Sequence, residues 1–447
     1  MPASPKPLSW LGIFRLGLVQ AALGSVTVLT MTTLNRVMVV ELALPAMLPG
    51  LLVGLHYAMQ VLRPRLGYGS DLGGRRTPWI VGGMIVHACG GLLAAVATAS
   101  MATQLAFGIA LAVIAFIMIG IGVSAAGTSL LVLLAKRTDP SRRNAAASIA
   151  YITMVTGFIA TSAAAGHALD PFSGARLVAV SAGVSAIAMI LTLIGVWNIE
   201  GDEPAADDRS ADDEAHKTSF REELAHIWNE PQARRFAIFI FISMLAYSSQ
   251  DLILEPFAGA VFGMTPGQTT KLAGFQHTGA VIGMILVPVL NYLIPALRTR
   301  TTPWIVGGCI ASAFGILNIA LAAMVGPAWP LRASMLLLGT TNGIFAIAAI
   351  GAMMNLVGAG HRNREGTRMG LWGASQAISF GIGGFLGTLA SDTTAHLLPS
   401  LSLSYASVFG AQAGLFMFAA ALALWVSKPM AGNEQGQTVA GESRLTA

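Results

Sequence analysis

The chain has 447 residues, of which 54% are apolar and only 11% are charged, and its mean hydropathy is +0.68. Soluble domains carry about 25% charged residues, so this composition excludes an enzyme that folds in water and predicts an all-α polytopic membrane protein. The formal charge of +5 does not indicate nucleic-acid binding, because the basic residues lie mainly between the apolar runs.

Twelve apolar runs are long enough to cross the hydrocarbon core, which takes about 20 helical residues. They lie at residues 16–34, 43–62, 78–99, 104–134, 145–166, 176–197, 235–255, 268–294, 302–325, 330–357, 367–390 and 401–427. With both termini in the cytoplasm, 22 of the 26 Lys and Arg residues fall on the cytoplasmic side, which is the expected bias. Both cysteines, Cys89 and Cys309, lie inside apolar runs, and we predict that they serve as small packing residues.

An internal repeat divides the chain into two parts. The sequence TPWIVGG at residues 77–83 recurs at residues 302–308, an offset of 225 residues, and the same offset relates Arg137 to Arg362. Parallel repeats of six helices are found in the major facilitator superfamily, and we predict that fold. The pairs Gly50/Gly54 and Gly279/Gly283 are predicted to let helices pack closely.

Residues 200–230 differ in composition, since they hold 11 of the 21 acidic residues of the chain. Ser219 and Glu222 have the spacing of a capping box, which predicts a short amphipathic helix on the cytoplasmic membrane surface. The predicted organisation is an N-terminal six-helix half at 1–199, a cytoplasmic acidic linker at 200–234, a C-terminal six-helix half at 235–427 and a cytoplasmic disordered tail at 428–447.

The loop between the second and third runs matches the Gly-x-x-x-Asp-x-x-Gly-Arg-Arg signature of the major facilitator superfamily, through Gly67, Asp71, Gly74, Arg75 and Arg76. Glycines allow a tight turn, and a carboxylate beside a helix N-terminus or a cation stabilises one conformation. We predict a cytoplasmic gate here. The alternative is a turn that only sets topology.

Charged groups within membrane helices are costly, so each one indicates function. The first run ends near Asn35, Arg36 and Glu41, and the seventh ends near Gln250, Asp251 and Glu255. In the predicted fold these ends meet at the periplasmic mouth. We predict a bridge from Arg36 to Asp251 or Glu255, because two carboxylates four residues apart repel unless neutralised. The alternative is that one carboxylate takes up a proton for coupled transport.

Three histidines lie inside apolar runs, and a neutral imidazole is a good axial ligand for a metallated macrocycle. His56, with Gln60 one turn later, is the first candidate for such a ligand, and His277, with Gln276 beside it, is the second. His87 has apolar neighbours, which favours packing. For each histidine the alternative is a hydrogen bond between helices. No Cys/His spacing indicates a separate metal site.

Five segments resemble the PucC/LhaA family of the major facilitator superfamily. They are TLNRVMVVELALPA (33–46), LRPRLGY (62–68), AGTSLLVLLAKR (126–137), GHALDPFS (166–173) and QDLILEP (250–256). The segment LEPFAGAVFGMTPG (254–267) resembles the branch encoded beside the bacteriochlorophyll synthase gene.

The resemblance implies a protein of the intracytoplasmic photosynthetic (inner) membrane of a phototrophic bacterium, with bacteriochlorophyll as its cargo. It would assist assembly of light-harvesting complexes, with membrane lipid, antenna polypeptides and bacteriochlorophyll synthase as partners. We see no catalytic residues, so we expect a partner of that synthase and no enzyme. The alternatives are a proton-coupled transporter of a small apolar solute and an assembly scaffold without pigment.

Overall fold

The computed structural model describes residues 7–63, 75–139, 142–200, 229–294, 301–358 and 365–426. Within these ranges every regular element is a helix. In chain order the helices are α1 (Trp10–Glu41), α2 (Met47–Leu62), α3 (Thr77–Met101), α4 (Leu105–Arg137), α5 (Arg143–Ala168), α6 (Gly174–Val196), α7a (Pro231–Asp251), α7b (Leu254–Phe262), α8 (Pro266–Leu293), α9 (Thr301–Val325), α10 (Leu331–Gly358), α11 (Glu365–Leu397) and α12 (Leu401–Val426).

The predicted polytopic all-helical architecture is confirmed. In the described ranges, ten helical segments are long and apolar enough to cross a membrane, with α7a and α7b forming one of them. The apolar helix α2 is shorter than these ten, and α11 coincides with the predicted run at 367–390. The exact number of twelve crossings stays a prediction. The predicted linker helix lies almost entirely outside the described residues.

Glycines bring helix backbones into contact where the sequence predicted it. A Cβ atom at Gly279 or Gly283 would overlap carbonyl oxygens of α10, and one at Gly50 would overlap the Thr388 side chain of α11. Gly54 faces the backbone of Gly381 at van der Waals distance. These glycines thus serve helix packing, both within the second half (α8 with α10) and between the halves (α2 with α11).

Two helices are irregular at the predicted periplasmic end, and both differ from the sequence prediction. Helix α1 runs past residue 34 to Glu41 and includes two π-helical segments, Leu29–Thr33 and Val37–Glu41. Helix seven does not end near residue 255. It is interrupted at Leu252 and Ile253 and continues as α7b. π-Helical segments are frequent at functional sites, and interrupted membrane helices leave backbone groups free to bind ligands.

Orientation in the membrane remains a prediction that rests on the cationic bias. Reporter fusions at Arg76, Glu214, His361 and the C-terminus are expected to report the cytoplasm, because the Lys and Arg residues cluster on that side. Fusions at Ala102 and Asp392 are expected to report the periplasm. A reversed signal at one of the internal positions would contradict the twelve-helix arrangement.

Candidate functional site

Arg36 is the centre of a buried polar cluster where α1 meets α7b. Its side chain is only 2% exposed, its Nη1 forms an ion pair with Glu41, and its Nη2 donates to the carbonyl oxygen of Met264. The guanidinium lies against Gly259, where a Cβ atom would come within 2.9 Å of Nη2. Arg36 therefore links α1 to the second half through a site that requires glycine.

The predicted bridge from Arg36 to Asp251 or Glu255 is wrong for this conformation, because the carboxylate in contact with Arg36 is Glu41. Residues five apart do not share a face on an α-helix, but a π-helix has i to i+5 hydrogen bonding. The π-helical segment Val37–Glu41 brings the Glu41 carboxylate into contact with Arg36. The predicted meeting of the two helices is confirmed, since Asn35 Nδ2 donates to the carbonyl oxygen of Leu252.

The interruption of helix seven leaves polar side chains buried beside it. Glu255 is 2% exposed and the Gln250 side chain is fully buried. Neither the Glu255 carboxyl oxygens nor the Gln250 amide atoms have a hydrogen-bond partner in the described part of the chain. Buried polar groups are usually satisfied, so these two residues indicate a site with a role beyond packing.

Two aspartates that the sequence analysis did not select join the halves at the same end. Asp392 of α11 accepts hydrogen bonds from the backbone N–H groups of Ala46 (2.9 Å) and Met47 (2.7 Å), where α2 begins. Asp170, after α5, accepts from the Thr265 hydroxyl (2.8 Å), the N-cap of α8, and contacts Lys271. The internal repeat relates α5 to α11 and α8 to α2. The two contacts therefore close equivalent seams between the halves, with negative charge at helix N-termini.

Three tyrosines and Asp251 form a group of interacting side chains on α2, α5 and α7a. Tyr247 of α7a interacts electrostatically with Asp251, Tyr151 of α5 and Tyr57 of α2, and all four side chains keep partial exposure although they lie deep in the bundle. The ring of Phe380 in α11 lies 5.5 Å from Tyr57 and 5.8 Å from Tyr247. Aromatic walls with one carboxylate suit a planar apolar ligand with polar groups at its edge.

His56 is 2% exposed and already contacts a polar side chain. Its Nε2 lies 3.0 Å from Nε2 of Gln60, so the predicted contact one turn along α2 is present. Its Nδ1 has no partner among the described residues, and its ring meets Tyr57 edge-on at 4.9 Å. A Cβ atom at Gly120 of α4 would come 2.6 Å from the His56 carbonyl oxygen, so α4 packs tightly behind this residue.

His277 is more open than His56. Its side chain is half-buried on α8, its ring lies 5.0 Å from that of Phe158 on α5, and its Nε2 has no partner in the ranges that the structure describes. The side chain of Gln276 points in a different direction from that of His277, because neighbouring helical residues point about 100° apart. In contrast, both ring nitrogens of His87 contact backbone carbonyl oxygens, of Ile119 (3.3 Å) and Leu23 (3.1 Å), which agrees with the packing interpretation.

The predicted gate loop lies mostly outside the described residues, which exclude Gly67, Asp71 and Gly74. Arg75 and Arg76 are described. The backbone N–H groups of Arg76 (2.6 Å) and Thr77 (2.9 Å) donate to the carboxylate of Glu200. Glu200 therefore caps the N-terminus of α3, and its backbone oxygen accepts from Arg137 (2.7 Å). In the described ranges, no group of three His, Cys, Asp or Glu residues is arranged to hold a metal ion.

This architecture is that of the major facilitator transporters. The chain is similar to the structure of a D-xylose-proton symporter, with a TM-score of 0.70 and 14% identity over 94% of this chain and 97% of the symporter. It is also similar to a bacterial homolog of the human lysosomal transporter Spinster, with a TM-score of 0.66 and 16% identity over 93% of this chain and 96% of that one. At such identities the likeness shows the fold alone.

The chain belongs to the PucC family, because the family model described as "PUCC protein" matches residues 33–430. It is 48% identical to the "Bacteriochlorophyll synthase 44.5 kDa chain" of Rhodobacter capsulatus, over 97% of this chain and 100% of the relative. It is 30% identical to "Protein PucC" of Cereibacter sphaeroides, over 91% and 89% of the two chains. The resemblance found in the sequence is thus confirmed, and the chain is a membrane protein of a photosynthesis-related family with a transporter fold.

Proposed function

We propose that this protein binds bacteriochlorophyll in the photosynthetic inner membrane and delivers it to the antenna polypeptides of light-harvesting complexes. The observation that carries the proposal is the unpaired Nε2 of His277, half-buried at the contact between α5 and α8. A neutral imidazole nitrogen with no hydrogen-bond partner is available to ligate a metal, here the magnesium of the pigment. The name of the 48% identical relative supplies the pigment class.

The contacts between the two halves also suit an apolar cargo. Bacteriochlorophyll is large and long-tailed, so it would enter laterally from the bilayer, between helices of the two halves. The rings of Tyr57, Tyr247 and Phe380 lie on α2, α7a and α11, outside the α5–α8 contact that holds His277, and they offer further flat surfaces for a macrocycle, with phenol hydroxyls as hydrogen-bond donors to its edge. The charged groups of the described membrane helices lie toward helix ends, as Arg36, Asp251 and Lys271 do, whereas a pathway for a soluble solute would need polar groups at the midplane.

The relationship to bacteriochlorophyll synthase is part of the proposal. We propose that the chain acts beside that enzyme, receives newly made pigment and performs no synthesis itself. The match to the PucC family and the likeness of the fold to that of a solved transporter support this part of the proposal. The word "synthase" in the relative's name then describes a protein that works in the same process. Both termini would face the cytoplasm, the side from which the synthase is reached.

The test is an absorption spectrum of the full-length protein purified from a pigment-making host. We expect bacteriochlorophyll to co-purify in a fixed ratio near one pigment per chain, because the half-buried His277 imidazole provides one axial ligand. A protein from the same membranes with the same fold but outside this family serves as the control for unspecific pigment. Protein without pigment would contradict delivery and leave a pigment-free assembly scaffold or a proton-coupled exporter, and pH-dependent uptake in vesicles would identify the exporter.

A further inference from the structure

Glu255 is a carboxyl group in an unusual position. It lies in the first turn of α7b, is 2% exposed, and neither of its oxygens has a hydrogen-bond partner within the described residues. Transfer of an ionised carboxylate from water to such a place is very costly unless it is paired and hydrogen-bonded. The protonation state of Glu255 therefore depends on the groups around it.

The hydroxyl groups nearest to Glu255 donate to backbone carbonyl oxygens. The hydroxyls of Thr32 and Thr269 lie beside Glu255, but each has already donated its one proton to a backbone oxygen: Thr32 to Val28 (2.7 Å) and Thr269 to Pro266 (3.1 Å). Toward Glu255 both hydroxyls present acceptor lone pairs. While these hydroxyls donate to the backbone, an ionised carboxylate gains no hydrogen bond from them, whereas a protonated carboxyl group has a proton to share with their lone pairs.

The charge balance leads to the same result. Among the described residues, the cation nearest to Glu255 is Arg36, and its ion pair is with Glu41. Lys271 of α8 contacts Asp170 instead. The other titratable groups on the neighbouring elements are Asp251 on α7a, which is also acidic, and Tyr405 on α12, which packs on Phe257. Arg36 thus faces the carboxyl groups of Glu41 and Glu255, and a proton on Glu255 makes this set of three side chains neutral.

We propose that Glu255 is a proton-binding site, occupied in this conformation, whose proton leaves when Arg36 changes its partner. The O–H bond of Glu255 breaks, the proton passes to the Glu41 carboxylate, and Arg36 pairs with the Glu255 carboxylate. Glu41 then passes the proton to water, since its side chain is 35% exposed. The guanidinium already lies against Gly259, one turn from Glu255 on the same helix face, so the exchange needs a small movement.

The exchange would couple proton release to rearrangement between the halves. Nη2 of Arg36 donates to the Met264 carbonyl oxygen, on the loop between α7b and α8, when its partner is Glu41. A move of the guanidinium onto Glu255 weakens that bond and alters how α1 holds the second half. A metal cation such as Na⁺ is a poorer occupant than a proton, because Arg36 would repel it at close range.

Infrared spectroscopy of the purified full-length protein tests the proposal. At neutral pH we expect the C=O stretching band of a protonated carboxyl group, with the small shift in heavy water that identifies such groups. The band is expected to lose intensity in Glu255→Gln, which keeps the side-chain shape. The control is Asp170→Asn, which removes a carboxylate that already has partners at the same end of the bundle and should leave the band unchanged.

A second variant keeps the test independent of whether Glu255→Gln folds. In Glu41→Gln, Arg36 loses its carboxylate and is expected to pair with Glu255, so the same band should disappear in an otherwise native protein. A wild-type protein without the band, a band that persists in Glu255→Gln, or one lost only in Asp251→Asn would overturn the assignment. Loss of the wild-type band on adding Na⁺ at constant pH would also overturn it, in favour of a metal cation.

Discussion

Replacement of His277 by leucine is expected to lower the amount of bacteriochlorophyll bound per chain by about tenfold or more, whereas His56→Leu is expected to leave most of it bound. Loss of groups that only support a metal ligand already costs about 10–100-fold in affinity, so loss of the ligand itself should cost at least as much. His277 Nε2 is unpaired and half-buried, but Nε2 of His56 is engaged by Gln60. Leucine preserves bulk and apolarity in both.

The measurement is pigment per protein, from the absorption spectra of wild type and both variants purified from the same pigment-making host. His56→Leu is the matched control, since it makes the same change in another membrane helix. The position of the red absorption band reports the axial ligand independently of the amount bound. If both variants keep full pigment with an unshifted band, neither histidine is the ligand. If His56→Leu loses the pigment and His277→Leu keeps it, the assignment is reversed.

Arg36→Ala is expected to destabilise the protein by about 2–3 kcal/mol, because a buried side chain and its hydrogen bonds are lost, while Glu41, which is 35% exposed, keeps part of its hydration. The substitution leaves Glu41 without its cation and the Met264 carbonyl oxygen without its donor. It also opens a space against Gly259. The free energy of unfolding in detergent, followed by tryptophan fluorescence, measures the effect.

Arg176→Ala provides a matched control at the same end of the bundle. Arg176 is half-buried and its Nη1 donates a solvent-exposed hydrogen bond to the Pro171 carbonyl oxygen (2.7 Å), so its removal is expected to change stability by no more than about 1 kcal/mol. The double variant Arg36→Ala with Glu41→Gln should be more stable than Arg36→Ala alone, because it leaves no unpaired carboxylate at position 41. Equal stabilities of Arg36→Ala and Arg176→Ala would show that the buried cluster does not hold the halves together.

The amino-acid sequence by itself determined the class of this protein. An apolar fraction of 54% and a charged fraction of 11% indicate a chain that folds in a membrane. Long apolar runs in a bilayer form helices because their backbone groups have no water to bind. The repeated TPWIVGG segment indicated two related halves, and family segments such as QDLILEP at 250–256 indicated PucC. These signals are local in sequence, so they can be recognised without knowledge of the tertiary contacts.

The tertiary structure decided which polar groups meet. Sequence proximity and helical spacing predicted Arg36 against Asp251 or Glu255, but a π-helical segment, for which the sequence has no visible signal, brings Glu41 into contact with Arg36 and leaves Glu255 alone. The neighbours that favoured His56 as a ligand are real, yet Gln60 contacts its Nε2 and packing leaves the residue only 2% exposed. A side chain's availability depends on groups from other helices and on small changes of helical pitch, and only packing in three dimensions determines both.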